Sequence, residues 1–323
     1  MATIKDVAKL SGVTVTTVSR VLNNRGYISD KTRKKVYDAM EQLDYQPNEI
    51  ARSLLRKHSN IIGLIIPSVS HPFFGELTES IESFAYENGF KVLLCNSHLD
   101  SSKEKEYIDM LRSHKVDGII MGSHTLKVDD YMSLNMPLVT IDRQISSNIP
   151  FIASDNFQGG KLATKHLIEL GCKKIVHICG NLNLDMLANK RYEAFLVEAV
   201  NHGVEHITIQ TETDVFNNNQ YEDLVQKIFR DNPDIDGFFV SGDVTALHVL
   251  KACKDFNKRV PEDIKIVGYD DIRLASLTNL STIHQPIDEL GQMAVELIIK
   301  QLNKEKISYS NILPVSLVER STT

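Results

Sequence analysis

The chain has 323 residues, 42% of them hydrophobic and 24% charged, which suits a globular protein with more than one core, since typical domains run to about 100–150 residues. Its four cysteines, Cys95, Cys172, Cys179 and Cys253, form no CxxC pair, so redox and disulfide-stapled classes are excluded and reduced core thiols are expected. The net charge of −6 is uneven: residues 1–57 hold 11 Lys and Arg against 6 Asp and Glu, a balance of +5 that leaves −11 for the rest, the pattern of a chain whose first segment meets phosphate.

Residues 4–44 carry three short helical patterns, TIKDVAKLSG, TVTTVSRVLNN and SDKTRKKVYDAMEQL, broken at Gly12-Val13 and at Asn24-Arg25-Gly26-Tyr27. Thr14 can cap the second helix and Ser29 or Asp30 the third, while Val7, Ala8, Val18, Val21, Leu22, Val36 and Met40 supply the faces to bury. After Tyr45-Gln46-Pro47, the pattern NEIARSLLRKHSN is helical but too short to be stable alone in water.

From Ile61 the rhythm changes to apolar runs alternating with amphipathic helices. The sequence IIGLIIP, FFGELTESIESFAYENG, KVLLCNS, SKEKEYIDMLRSH, VDGIIMGS and PLVTIDR continues through KLATKHLIELG, KKIVHICG, KRYEAFLVEAVNHG, YEDLVQKIFRD, DGFFVSGD, TALHVLKACKDF and IKIVGYD. This predicts an α/β fold with parallel, doubly wound sheets, and its length predicts two lobes with a ligand between them at the C-terminal ends of the strands. The expected domains are 1–46, a three-helix head; 47–59, a hinge helix and linker; and 60–323, a two-lobed core.

Two short helices joined by a Gly-containing turn, with small and polar residues opening the second, are the physical pattern of a helix-turn-helix. Val15 and Thr16 fall at the exposed start of that helix and Arg20 one turn later, which puts methyl groups and a bidentate donor into the major groove. Thr17, Ser19 and Asn23 are expected nearer phosphates.

In the core, Asp142, Asp243, Asp270 and Gln285 follow strand patterns, Phe73-Phe74 opens the first loop, and Arg191 begins a helix; this set suits the hydroxyls and C–H faces of a sugar. His177 lies between Cys172 and Cys179, but KKIVHIC alternates as a strand and offers no compact metal set.

The string TIKDVAKLSGVTVTTVSRVLNN, followed by YQPNEIARSL, SDNFQGG, IVGYDDI, LSTIHQP and VERST, resembles the lactose-repressor family of bacterial regulators over essentially the whole chain. The resemblance implies a core of the periplasmic-binding-protein type. It implies that Asn48 to Arg56 is a hinge helix that folds in the DNA minor groove when two subunits meet, with Leu54 as its wedge and Asn48, Ala51 and Arg52 beside it. Thr3 and Thr14 join the DNA-facing set of the head by the same likeness.

For the effector, the resemblance points to Asp142, Arg191, Asp270 and Gln285 as contacts, with Ser70, Phe73 and Asp243 at or near the site. Two departures stand out: Gly242 where many members have Asn or Asp, and Val215-Phe216 after Asp214, which shifts an aromatic position. Within the family, CNSHLDSSKEKEYIDMLRSHKVDGIIMGSH and KVDDY are most like sucrose-operon repressors of Gram-positive bacteria, while ribose and other pentose repressors share much of the pattern.

The expected function is therefore transcriptional repression by a homodimer that binds double-stranded operator DNA and is released by a small sugar or sugar phosphate. No cofactor or metal is expected. The absence of GxGxxG, GxxxxGK[ST], GxSxG and HExxH argues against an enzyme. A transport-type binding protein would account for the core, but a basic head and an N-terminus interrupted by Lys5, Asp6 and Lys9 speak for a cytoplasmic protein, with no membrane segment. A cytoplasmic sugar-binding protein without a regulatory role remains the alternative from another class. No leucine heptad follows VERST, so a dimer is expected rather than a tetramer. One global carbon regulator of the family takes a phosphocarrier protein as co-repressor, and the residues here neither assign nor deny such a partner.

Overall fold

The computed structural model describes residues 2–46, 58–123, 125, 131, 134–211 and 218–323. The chain divides into two compact units, Met1–Ser59 and Asn60–Thr323.

In the first unit, α1 (Ile4–Ser11), α2 (Val15–Leu22) and α3 (Asp30–Gln42) enclose Val7, Ala8, Val18, Val21, Val36 and Ala39. Leu22 and Met40 are only partly buried against that centre. Gly12 ends α1 at φ 69°, a left-handed turn that a side chain would strain. The Thr14 hydroxyl accepts from the Thr17 amide and Ser29 accepts from Thr32, so Thr14 and Ser29 are the caps while Asp30 is the first helical residue.

The second unit holds two parallel sheets. The first, in the order β11-β5-β4-β3-β1-β2, comprises β1 (Ile61–Ile66), β2 (Lys91–Asn96), β3 (Gly118–Met121), β4 (Leu138–Ile141), β5 (Phe151–Ser154) and β11 (Ser310–Leu313). The second, β12-β10-β9-β8-β6-β7, comprises β6 (Lys174–Cys179), β7 (Glu205–Gln210), β8 (Gly237–Val240), β9 (Lys265–Asp270), β10 (Ser281–His284) and β12 (Ser316–Val318), with only β12 antiparallel to its neighbour. Each central strand is apolar and buried because helices cover both faces.

Helices α4 (Pro72–Glu87), α5 (Ser101–Ser113) and α11 (Ile287–Leu302) belong to the first lobe. The second lobe holds α6 (Asn156–Glu169), α7 (Lys190–Asn201), α8 (Asn218–Asp231), α9 (Asp243–Asp255) and α10 (Arg273–Leu277).

Several elements of the core have no match in the runs quoted from the sequence: β5, β7 and α11, along with the short α10, β11 and β12. β5 is only four residues long and β7 is an edge strand with a half-exposed face, whereas α11, packed against α4 and the first sheet, carries a regular buried stripe through Ile287, Leu290, Ala294, Val295 and Ile298. The chain crosses between lobes after β5, after β10 and between β11 and β12. Ser154 and Gln285, at the first two crossings, are therefore neighbours although far apart in sequence.

Candidate functional site

On the head, α2 buries Val18 and Val21 and leaves Val15, Thr16 and Arg20 exposed on the opposite side, as amphipathic packing of an eight-residue helix requires. Thr17 is held by Thr14, and the Asn23 amide donates to the Ser19 carbonyl at 2.8 Å, closing the end of the helix. Thr3 caps α1 and is itself tied to Asp6, whose carboxylate accepts from the Thr3 hydroxyl at 2.7 Å and its amide at 2.9 Å. The hinge residues Asn48, Ala51, Arg52 and Leu54 lie outside the described residues, as do Asp214, Val215 and Phe216.

In the core, a cavity of about 180 Å³ lies between the lobes at the C-terminal ends of the strands. Asp142 follows β4 and Asp270 ends β9; both hold positive φ, 58° and 114°, conformations that cost energy for a residue with a side chain and that the surrounding hydrogen bonds sustain. Arg191, in the first turn of α7, faces them and is nearly buried.

Its Nε donates to Asn156 Oδ1 at 2.6 Å and its Nη1 to the Ser241 carbonyl at 2.8 Å, while its guanidinium carbon sits 3.6 Å from the centre of the Tyr269 ring. Asn156 in turn donates to Asp142 Oδ1 at 2.7 Å. Gln285 accepts from Ser154 Oγ at 2.5 Å and donates to Asp270 Oδ1 at 2.6 Å. Two hydrogen-bonded chains, Asp142–Asn156–Arg191 and Ser154–Gln285–Asp270, thus brace the two sides of the cleft.

Four of the sequence-identified residues, Asp142, Arg191, Asp270 and Gln285, line this cavity together with Phe73. Two do not. Asp243 is fully buried and does not reach the cavity: its carboxylate accepts from the Ile272 amide at 3.0 Å and from Thr282 Oγ1 at 2.6 Å, and its own amide donates to Asp270. Ser70 is exposed, with its hydroxyl 2.9 Å from that of Ser68, and is not a lining residue. Gly242, the departure noted above, stands where an added Cβ would lie 3.6 Å from Asp270 Oδ2, an ordinary contact distance.

The sequence reading missed Asn156 and Ser154, although SDNFQGG contained both, and it missed Tyr269 inside IVGYDDI. It also missed the apolar walls, Ile141, Ala153, Ala188 and Leu290, with Phe74 packed edge-on to Phe73 at 5.2 Å. A larger groove of about 550 Å³ runs beside α4, α10 and the start of α11, but Glu76, Glu79, Glu87 and Asp288 dominate it and it lacks the polar network of the cleft.

Burial raises the pKa of Asp142, Asp243 and Asp270 above the carboxylate range; Arg191 opposes this at Asp142 and Asp270, and Asp270 reinforces it at Asp243. His177 is neutral, pushed down to about 3 by burial, with Nδ1 bonded to the Phe239 carbonyl at 3.0 Å and its ring stacked on Phe239. It is a core residue behind Ser241, beside Tyr192 and Phe195. All four cysteines are buried free thiols, consistent with their reading as core residues.

The raised carboxyl groups set a pH dependence. In the folded state Asp243 and Asp270 keep protons that unfolded carboxyls release near the ordinary value of 3.8, so their contribution to stability is present at low pH and lost as pH rises through neutrality. Between pH 6.5 and 8.5 the melting temperature is expected to fall, with a free-energy change on the order of 1 kcal/mol, and Asp243→Asn is expected to flatten that slope. Parallel slopes for the two proteins in thermal melts would remove Asp243 from this account.

Residues 3–48 match the family described as bacterial regulatory proteins, lacI family, and residues 164–323 match the periplasmic binding protein-like domain. The chain is 40% identical to a ribose operon repressor of Halalkalibacterium halodurans, covering 100% of this chain and 97% of that protein. It is 38% identical to a sucrose operon repressor of Streptococcus mutans, with 98% of each covered. Among solved structures it is similar to the lac repressor dimer bound to operator and the anti-inducer ONPF, with a TM-score of 0.86 and 29% identity over 100% of this chain and 99% of that one.

Proposed function

The chain belongs to the lacI family of bacterial regulatory proteins, a DNA-binding repressor of a sugar operon, and from that premise we propose that it is a homodimer released from its operator by a sugar seated in the cleft. The observation that carries this reading is that one chain holds both an exposed Val15, Thr16 and Arg20 on α2 and a cleft in which Asp142, Arg191, Asp270 and Gln285 converge among apolar walls. The head explains the local excess of positive charge, and the core explains the rest of the length.

Two subunits would pair through their cores and set their heads on adjacent major-groove half-sites, as twofold symmetry requires. Thr3, Thr14, Thr17, Ser19 and Asn23 would hold phosphates around the reading side chains, with Asn48, Ala51, Arg52 and Leu54 in the minor groove between the half-sites. In the cleft, Asp142, Asp270 and Gln285 would take sugar hydroxyls and Arg191 a hydroxyl or ring oxygen, with Phe73 against a C–H face and Asp243 holding Asp270 from behind. Closure of the lobes on the sugar would shift those nearest DNA and separate the hinges.

Two observations support binding as the role of the cleft: the carboxylates are engaged by fixed donors, and the relatives named above are repressors. Sucrose is the first assignment for the operon, from the likeness of residues 95–124 and 127–131 to sucrose-operon repressors, and ribose the second; a relative of each name stands at nearly equal identity.

Arg20→Ala is expected to relax base discrimination at one operator position by about 1–3 kcal/mol, measured as the loss on operator minus the loss on random DNA. Equal losses on both would show that Arg20 contacts phosphate and not a base edge.

A further inference from the structure

We infer that the effector is a single neutral monosaccharide, and not a disaccharide or a phosphorylated sugar; this rests on the reading of the cleft as the effector site. Three observations carry it, the first being size. At about 180 Å³ the cavity is little larger than the ~150 Å³ cavity that takes up one benzene ring, so it seats a single six-membered ring. A pentose or hexose is one such ring, and a disaccharide needs room for two.

The second observation is how the walls are fixed. Arg191 is pinned by Asn156, Ser241 and Tyr269, and Gln285 by Ser154 and Asp270, so the polar side is already braced at both crossings. Room for a second sugar ring would require those braces to break, because the opposite wall is formed by Phe74 and Leu290, which pack into the first lobe.

Charge is the third. Asp142 and Asp270 face the cavity against one guanidinium, and no lysine or second arginine is among the described lining residues. A phosphoester brings nearly two negative charges, about −1.5 to −2 at neutral pH, into a buried site that holds one cation beside two acids. A polyhydroxyl ring instead offers each carboxylate hydroxyl donors and presents C–H faces to Phe73 and Ile141. If the operon serves a disaccharide, hydrolysis of that disaccharide must then supply the hexose that the protein senses.

The test is calorimetry of the full chain with D-fructose, D-glucose, D-ribose, sucrose, fructose 6-phosphate and ribose 5-phosphate, each followed by an operator-binding assay. At least one neutral monosaccharide is expected to bind ~100-fold or more tightly than sucrose and either phosphate. Ala188→Leu, which fills part of the cavity, is expected to weaken a hexose by ~10-fold or more while operator binding, read on the same sample, shows that the variant is folded. Sucrose or a sugar phosphate binding as tightly as the best monosaccharide would overturn the inference, and if that ligand also released operator the repressor reading would stand without it. Silence from every sugar would overturn both.

Discussion

Arg191→Ala is expected to yield a repressor that binds its operator and ignores the sugar. The guanidinium is the one positive side chain lining the cleft among the described residues, and it stands between Asp142 and Asp270. Removing it leaves buried carboxylates without their counter-charge, a change that typically costs about 3–5 kcal/mol when one partner of a buried pair is lost. Part of that cost is relieved by proton uptake, because burial already raises the pKa of both acids.

Loss of a charge-assisted donor to a ligand oxygen is itself worth about 1.5–3 kcal/mol. Sugar affinity is therefore expected to fall by at least ~100-fold. The head folds around its own Val7, Val18 and Val36, so operator binding should persist. Titration of wild type and variant with sugar, and of both with operator, checks the two halves separately; a variant still released by sugar at wild-type concentrations would take Arg191 out of the site.

Gly160→Ala should damage the same site from behind, through the backbone. An added Cβ on Gly160 would lie 2.4 Å from the Arg191 carbonyl oxygen and 2.8 Å from its Cα. Those are main-chain atoms at the start of α7, so no rotamer change relieves the clash and α7 must move away from α6. Overpacking of this kind costs about 3 kcal/mol, or about 5–10 °C in melting temperature for a unit of this size.

The displacement also draws the guanidinium off Asn156 and Ser241, so the variant should lose sugar affinity along with stability. Gly159→Ala is a useful comparison, because its Cβ would meet the hydroxyl of the fully buried Tyr269 at 2.3 Å, a side chain and not a backbone. An unchanged melting temperature and sugar affinity in Gly160→Ala would contradict the close approach of α6 and α7.

Much of this architecture was legible because it rests on local rules. The helix starts at Thr14 and Ser29 follow from capping chemistry, and the parallel sheets follow from apolar runs such as IIGLII and KIVHIC, which need helices on both faces. Strand-end charges were legible for the same reason: Asp142 and Asp270 interrupt apolar runs where a crevice must open. The supporting set was not.

Asn156 reads as an ordinary residue near a helix start until Arg191 and Asp142 are seen on its two sides, and the Ser154 to Gln285 bond joins crossings that only the three-dimensional path brings together. Asp243, expected at or near the site, stands behind Asp270, with Thr282 and the Ile272 amide occupying its carboxylate. The glycine within α11 likewise makes sense only from its neighbour, since a Cβ on Gly291 would meet Ser80 Oγ of α4 at 2.4 Å.

The central claim is that sugar in the cleft and operator on the head oppose one another. The direct measurement is the affinity of the full chain for labelled operator with and without a saturating concentration of the tightest-binding sugar, paired with sugar affinity measured with and without operator. Operator affinity is expected to fall by about 5–150-fold, with the same factor appearing reciprocally in the sugar titration. Operator affinity unchanged by a sugar that demonstrably fills the cleft would contradict it.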